Sequence, residues 1–242
     1  MNRRASGFGL IELMIAMVLG LLVVAGATQI FLSAKSTYQT QNSAAGIQED
    51  ARYLLSKMVQ EFRMVGMFGC LATVTDSSTA KDFQARYDSP ITFTRTGTTS
   101  VLTLTTADVG TSGTNPNWNI LTDCRSSSVA YSPANTPAAA SFTANQFIMP
   151  IRQVIYTYAN NQISTGSTTA NQSVLVNNVT AFNISFGIAA SASQAIASSY
   201  VATPADTSLI RSIRISLTIA SADSRAAPQT FNVVASVRNR LL

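Results

Sequence analysis

LMIAMVLGLLVVAGATQIFLSA, residues 13–34, carries no formal charge over about 22 residues. At ~1.5 Å of rise per residue, a helix of that length crosses a hydrocarbon core of roughly 30 Å. An acid, Glu12, stands at the head of this stretch, and a short basic leader containing Arg3 and Arg4 precedes it and ends in Gly7. A carboxylate in such a span costs ~2.5 to 3.5 kcal/mol at the bilayer centre and less near the interface, so it calls for a partner. The next cation on the C-terminal side is Lys35, and Arg3 and Arg4 both lie before Gly7. Cutting the chain between Gly7 and Phe8 would place a new α-amino group on Phe8, one helical turn from Glu12 of the same or a neighbouring copy. Cleavage there creates the missing cation.

The string Gly7-Phe8-Gly9-Leu10-Ile11-Glu12 resembles the type III signal of type IV pilins and type II secretion pseudopilins. The resemblance implies that a prepilin peptidase cuts after Gly7 and methylates the exposed Phe8. Gly9 departs from the family pattern, which usually has Ser or Thr there, whereas Gly7, Phe8 and Glu12 all match. A second reading of the same residues is a cleaved secretory signal peptide, with Arg3 and Arg4 as its basic start, residues 13–24 as its apolar run and Ala25-Gly26-Ala27 as the cleavage site. Against it stand the acid at the head of the run and the uncharged sequence that continues through Ile30-Phe31-Leu32. A plain single-pass anchor is a third reading. The Arg3-Arg4 pair finds little else of a twin-arginine signal.

Beyond the N-terminal helix, ~180 residues suffice for one sizeable core, and a single globular head is expected. Charged residues make up 11% of the 242, and Ser, Thr, Asn and Ala are abundant, a composition that suits an extracytoplasmic surface better than a cytosolic enzyme. The net charge of +5 includes Arg3 and Arg4 and is scattered, which gives no basis for nucleic-acid binding. Histidine is absent, removing the commonest general base, the Ser-His-Asp arrangement and the usual zinc ligand together. The eleven acids are dispersed, with Glu49-Asp50 the one adjacent pair, read as solvated helix surface. No catalytic constellation, cofactor site or metal site is expected. Cys70 and Cys124, both on the periplasmic side that the resemblance implies, are compatible with a disulfide closing a loop of ~54 residues. Two free buried thiols are the alternative.

After Lys35 the sequence turns polar, yet Ile47, Ala51, Leu54, Leu55, Met58, Phe62 and Val65 recur three or four apart, the spacing of one helix face. No proline occurs before Pro90, so one helix is expected from about residue 8 to about 67, with Gly20 and Gly26 as weak points and Gly66 and Gly69 as its stop. The stripe should cover a sheet. This divides the chain into a leader (1–7), a membrane-spanning and assembly helix (8–34), the amphipathic half of the same helix (35–69) and a β-rich head (70–242). Short alternating runs follow Cys70, at 91–94, 101–104, 154–158, 173–188, 210–220 and 230–237, with a hairpin turn at Asn160-Asn161. Residues 110–144, containing Pro116, Pro133 and Pro137, read as irregular chain tied down by Cys124. Trp118 is expected to anchor that region to the core, the alternative being a contact surface.

Two further segments narrow the resemblance. Arg63-Met64-Val65-Gly66-Met67-Phe68-Gly69-Cys70, and the closing Ser212–Leu217 strand with its Arg238-Asn239-Arg240 tail, are similar to the PilW-type minor pilins of the type IV pilus. That resemblance implies an α+β, type IV pilin-like fold, with a long N-terminal helix half membrane-spanning and half packed on an antiparallel β-sheet head. It implies a low-abundance subunit that initiates assembly at the inner membrane with the head in the periplasm and enters the fibre at or near its tip. Its partners would be other minor pilins, the major pilin, the prepilin peptidase, the inner-membrane assembly platform and a tip adhesin. The rival readings are a type II secretion minor pseudopilin and, from another class, a membrane-anchored adhesin or binding module with no need of Glu12.

Overall fold

The computed structural model describes residues 9–71, 73–107, 116–143 and 145–237. Helix α1, Leu10–Met64, runs for 55 residues through both sequence textures and through Gly20 and Gly26, a rod of roughly 80 Å. The periodic stripe is its inner face: Ala51 and Leu54 are fully buried, and Ile47, Leu55, Met58 and Phe62 nearly so. Glu49 and Asp50 are both exposed, as expected of solvated surface, with Asp50 at the rim of a cleft that Ile47 and Ile219 also line. The helix stops at Met64, a little short of the expected end, because Val65 turns to an extended ψ of 135° and Gly66 takes φ +70°. That left-handed turn aims the Gly66 N–H at the Thr105 carbonyl, 3.0 Å away, and a side chain at Gly66 would strain it.

The head is built from β1 (Thr75–Asp76), α2 (Phe83–Asp88), β2 (Ile91–Thr96), β3 (Thr99–Ala107), β4 (Trp118–Thr122), β5 (Ser128–Tyr131), β6 (Phe147–Ala159), β7 (Gln162–Gly166), β8 (Gln172–Val176), β9 (Val179–Ile188), β10 (Ser199–Val201), β11 (Ile210–Ile219) and β12 (Gln229–Ser236). A long apolar helix followed by a largely antiparallel β head is the α+β, pilin-like architecture expected. The sheet is not single, however. β1 to β8 form one sheet, ordered β1-β5-β4-β6-β3-β2 with β7 and β8 added beside β6, and β10-β9-β11-β12 form a second. The run 173–188 reads as one strand but breaks at Asn178, whose φ of +57° redirects the chain from the first sheet into the second. The hairpin at Asn160-Asn161 forms as expected, with φ of +51° and +58°, the signs a tight hairpin requires.

Residues 110–144 depart from expectation. Residues 108–115 and 144 lie outside the described residues, but the segment contains the β4–β5 hairpin, registered from Asn119↔Tyr131 to Thr122↔Ser128. The signal was weak because both strands are short and the turn is Ser-rich. What closes that turn is Asp123, whose Oδ1 accepts the backbone N–H groups of Arg125, Ser126 and Ser127 at 2.9 Å each. These bonds, led by the Ser126 hydroxyl, hold its carboxyl well below the usual carboxylate range.

One apolar cluster lies between the α1 stripe and the inner faces of both sheets, where Ile213, Ile215 and Leu217 alternate with outward Arg214 and Ser216. A second, smaller one packs Phe68, Phe83, Trp118, Ile120 and Ile151 beneath α2. Trp118 is a core anchor, 4% exposed, in edge contact with Phe83 and donating Nε1–H to Asp82 at 2.9 Å. The Cys70–Cys124 disulfide ties the helix exit to this hairpin, with Cα atoms 5.3 Å apart, and both cysteines lie at the surface rather than in the core.

Asp76 organises the start of α2. Burial pushes its carboxyl up, but the Ser78 hydroxyl and the N–H groups of Ser78, Gln84 and Phe83 outweigh that and leave its pKa lowered. A depressed folded pKa contributes stability above the unfolded value of about 3.9 and loses it as pH falls through the folded value. Thermal unfolding from pH 5 to pH 2 should therefore show a steeper fall in Tm for the parent chain than for Asp76→Asn. Identical slopes would remove Asp76 from the acid response.

Candidate functional site

The chemistry-bearing residues at the chain start are held by the helix itself. Gly9 is the residue before α1, extended at φ −74° and ψ 148°, and Glu12 occupies the third helical position. From there its carboxylate turns back toward the chain start, where Oε2 accepts the Gly9 N–H at 3.4 Å. An acid in the first turn also faces the positive end of the helix dipole. Gly7 and Phe8 lie outside the described residues. The structure does fix where the carboxylate points: at the backbone one residue beyond Phe8.

Below this acid, α1 presents apolar side chains on every side. Leu10 through Leu32 leave their large hydrophobic residues between 53% and 79% exposed, and none of the most apolar 18-residue window is buried by the head. Exposed apolar area of this extent marks a surface that another medium or molecule covers. Thr28 returns its hydroxyl hydrogen to the Val24 carbonyl at 2.8 Å, which removes a free donor from the apolar stretch. Thr37 and Thr40, nine and twelve residues further along, do the same with the carbonyls of Ser33 and Ser36.

The change of environment along α1 is enforced by the β11–β12 loop. Arg225 Nη1 donates to Gln39 Oε1 at 2.8 Å, Ser43 donates to Asp223 Oδ2 at 2.9 Å, and Arg225 Nε pairs with the same carboxylate at 3.1 Å. Ser221 also donates to Asp223. Ser221 together with these neighbours holds the Asp223 carboxyl below its ordinary range. Deeper in, Glu61 is 6% exposed and meets Arg152 of β6 at 2.6 Å, with Lys57 at 3.7 Å. This pair fixes how the helix sits on the first sheet. Burial, reinforced by Glu61, raises the pKa of the neighbouring Tyr156 phenol, so it stays neutral.

At the other end of α1, residues 63–70 make a joint whose sequence has a physical reading. Arg63 stands in the last turn of the helix, Gly66 and Gly69 take φ of +70° and +60°, and Cys70 enters the disulfide. Sequence reasoning missed Arg211. It is 5% exposed, and its guanidinium donates to the carbonyls of Gln194, Ser208 and Ala192 at 2.8 to 2.9 Å, gathering the loop between β9 and β11. Its signal was a charge breaking the apolar alternation at the start of β11. The Asp223–Arg225 clamp left no such mark in a polar turn. The tail Arg238-Asn239-Arg240 lies outside the described residues.

Among the described residues, no three His, Cys, Asp or Glu side chains come together. What the described residues of the N-terminal half of α1 do present is an apolar rod headed by one acid. In keeping with this, residues 2–28 match the model of the prokaryotic N-terminal methylation motif, a signal typical of type IV pilins and pseudopilins. No curated protein matches the chain.

Arg152→Met leaves buried Glu61 with the longer Lys57 contact and so should lower stability by less than the ~3–5 kcal/mol of a wholly unpaired buried charge, by about 2 kcal/mol. Adding Glu61→Leu to it should restore most of that loss. Chemical denaturation of the two variants and the parent decides this, and an equal loss in the double variant would show that the charges do not act as a pair.

Proposed function

We propose that the chain is a type IV pilin-class subunit and, within that class, a minor pilin of the PilW type. It is cut between Gly7 and Phe8, methylated at Phe8, held in the inner membrane by α1 with its head in the periplasm, and then passed into a pilus at or near its tip. The observation that carries this reading is the form of α1: one unbroken helix, bare and apolar around residues 13–34, embedded in the head beyond Ile47, with Glu12 turned toward the chain start. The methylation motif at 2–28 supports it.

The mechanism follows from the cost of a charge in hydrocarbon. In lipid, Glu12 sits at the edge of the span; in a bundle of such helices it would be enclosed. An N-terminal amine on Phe8, from the same or the adjacent copy, neutralises it there, and a buried charge paired in this way is tolerated where a lone one is not. The apolar flanks supply van der Waals contact between helices in place of contact with lipid. The membrane, the prepilin peptidase, the assembly platform, the major and minor pilins and a tip adhesin are the partners this role requires. The glycine-cysteine joint and the Arg238-Asn239-Arg240 tail favour the pilus over a type II secretion pseudopilus. A tethered adhesin has no use for Glu12.

Intact mass measured on the protein isolated from membranes tests the processing. The expected species begins at Phe8 and carries one added methyl group, and a larger side chain at Gly7 leaves the leader attached. Glu12→Ala should still be processed and should abolish fibres in cells that carry only that variant. A native chain beginning at Thr28, or normal fibres from Glu12→Ala, would overturn the reading.

A further inference from the structure

The outer strand of a sheet leaves a row of N–H and C=O groups without a strand partner, and folded proteins blunt such edges by shortness, charge, proline, bulges or cover. Most edges of this head carry one of those devices. β1 has two residues, one of them Asp76, and β10 has three. β2 carries Arg95 and lies against the second sheet, where Arg95 donates to Asn183 at 3.3 Å and Phe93 meets Phe186. β8 is bulged at Leu175, where its register with β7 slips, and α1 packs against it.

β12 has none of these protections. Its eight residues, QTFNVVAS, include no charge and no proline and pair with β11 at eight consecutive positions without a bulge. The Val237 N–H donates to the Arg211 carbonyl at 2.9 Å beside the Ser212↔Ser236 pair, which sets the parity of an antiparallel ladder. Gln229, Phe231, Val233 and Ala235 bond to β11, so Thr230, Asn232, Val234 and Ser236 turn their backbone groups outward. Among the described residues, no strand pairs with that edge.

The edge opens on a groove of about 530 Å³ between β12 and α1, lined by Leu55 and Val59 of the helix and by Phe231 and Val233 of the strand. Thr230 and Asn232, two of the residues whose backbone turns outward, line it as well. A further strand would lie about 4.8 Å beyond β12, with every second side chain on the groove's side of the sheet. Arg52 is the one charged residue on the groove's walls. It is exposed and enters none of the ion pairs among the described residues.

We propose that β12 is a strand-addition site for an extended, acid-bearing segment of a different polypeptide. The main chain of that segment bonds to the outward groups of Thr230, Asn232, Val234 and Ser236, and its alternate side chains enter the groove, apolar ones against Leu55 and Val59 and one carboxylate against Arg52. The described strands of this chain do not fit that description. β2 would bring Arg95 toward Arg52, β1 and β10 are too short, and β8 is bulged and covered. Pairing of β12 with β12 by a two-fold axis normal to the sheet reverses the helix packed on it, which is excluded for neighbours in one membrane. A contact between unlike chains also ends after one step instead of extending without limit, in keeping with the few copies proposed above. A single strand buries far less than the roughly 1,000 Å² of a stable interface, so in the assembly the contact gains from partners held side by side at effective concentrations on the order of millimolar.

The test uses the full chain in lipid nanodiscs and a synthetic peptide of about seven residues, alternating valine and threonine with one central valine replaced by glutamate, supplied at concentrations on the order of millimolar. Hydrogen exchange at the amides of Thr230, Asn232, Val234 and Ser236 should slow at least about fivefold with this probe. The same peptide with lysine in place of glutamate should need about tenfold more for an equal effect. Arg52→Glu, at an exposed position, should reverse that order, and Val234→Pro, which removes only an outward N–H, should abolish protection by either probe. Equal protection by the two peptides, an order unchanged in Arg52→Glu, or no protection from the glutamate probe would each overturn the proposal. So would slow exchange at these amides that grows with the concentration of the chain alone, which would give the edge to a second copy. The inference goes beyond the processing and assembly reading, and intact mass of the same sample reports cleavage after Gly7 separately, so failure of either is told from failure of the other.

Discussion

A helix longer than the head it serves must expose one of its ends, and in this molecule the exposed end is the one that water tolerates least. Packing against the two sheets begins near Ile47 and buries one stripe as far as Phe62; before Gln39, the side chains of α1 are exposed on all sides. Hydrogen bonding within a continuous helix satisfies the backbone in lipid and in the head alike, so a single element can serve both environments without a joint between them. Everything else in the fold adjusts to that rod. The Asp223–Arg225 clamp seizes it where it enters the head, the Glu61–Arg152 pair sets it against the first sheet, and the two left-handed glycines with the disulfide end it.

The charges on α1 obey the same constraint. From Leu13 to Ala34 no formal charge interrupts the surface, and Glu12 stands at the boundary. Among the described residues, its carboxylate accepts one long bond, from the Gly9 N–H at 3.4 Å. In the head, Asp123 and Asp76 hold turns and Arg211 gathers a loop.

The helix and its two faces were legible because periodicity over many residues is a strong signal: seven apolar positions from Ile47 to Val65 all proved buried. The Asn160-Asn161 hairpin was legible because few residues accept positive φ. The β4–β5 hairpin was not, since five- and four-residue strands between Ser- and Pro-rich turns carry little alternation. Nor was the division into two sheets, because the break at Asn178 depends on one residue's backbone angle within an otherwise continuous apolar run. At the chain start, the acid stood out by charge spacing, whereas the long-range pairs of Glu61 with Arg152 and of Asp223 with Ser43 join residues far apart in sequence and leave no local trace.

The central claim, that the bare half of α1 belongs in hydrocarbon, is tested most directly by placing single spin labels at successive positions from Leu13 to Leu32 in the full chain reconstituted in bilayers and measuring their collision rates with oxygen and with a water-soluble nickel chelate. The account predicts that oxygen access dominates at every label around the helix and peaks midway along the stretch, with nickel access returning beyond Lys35. Nickel access along residues 13–32, or a one-sided pattern with a period of 3.6 residues, would contradict it.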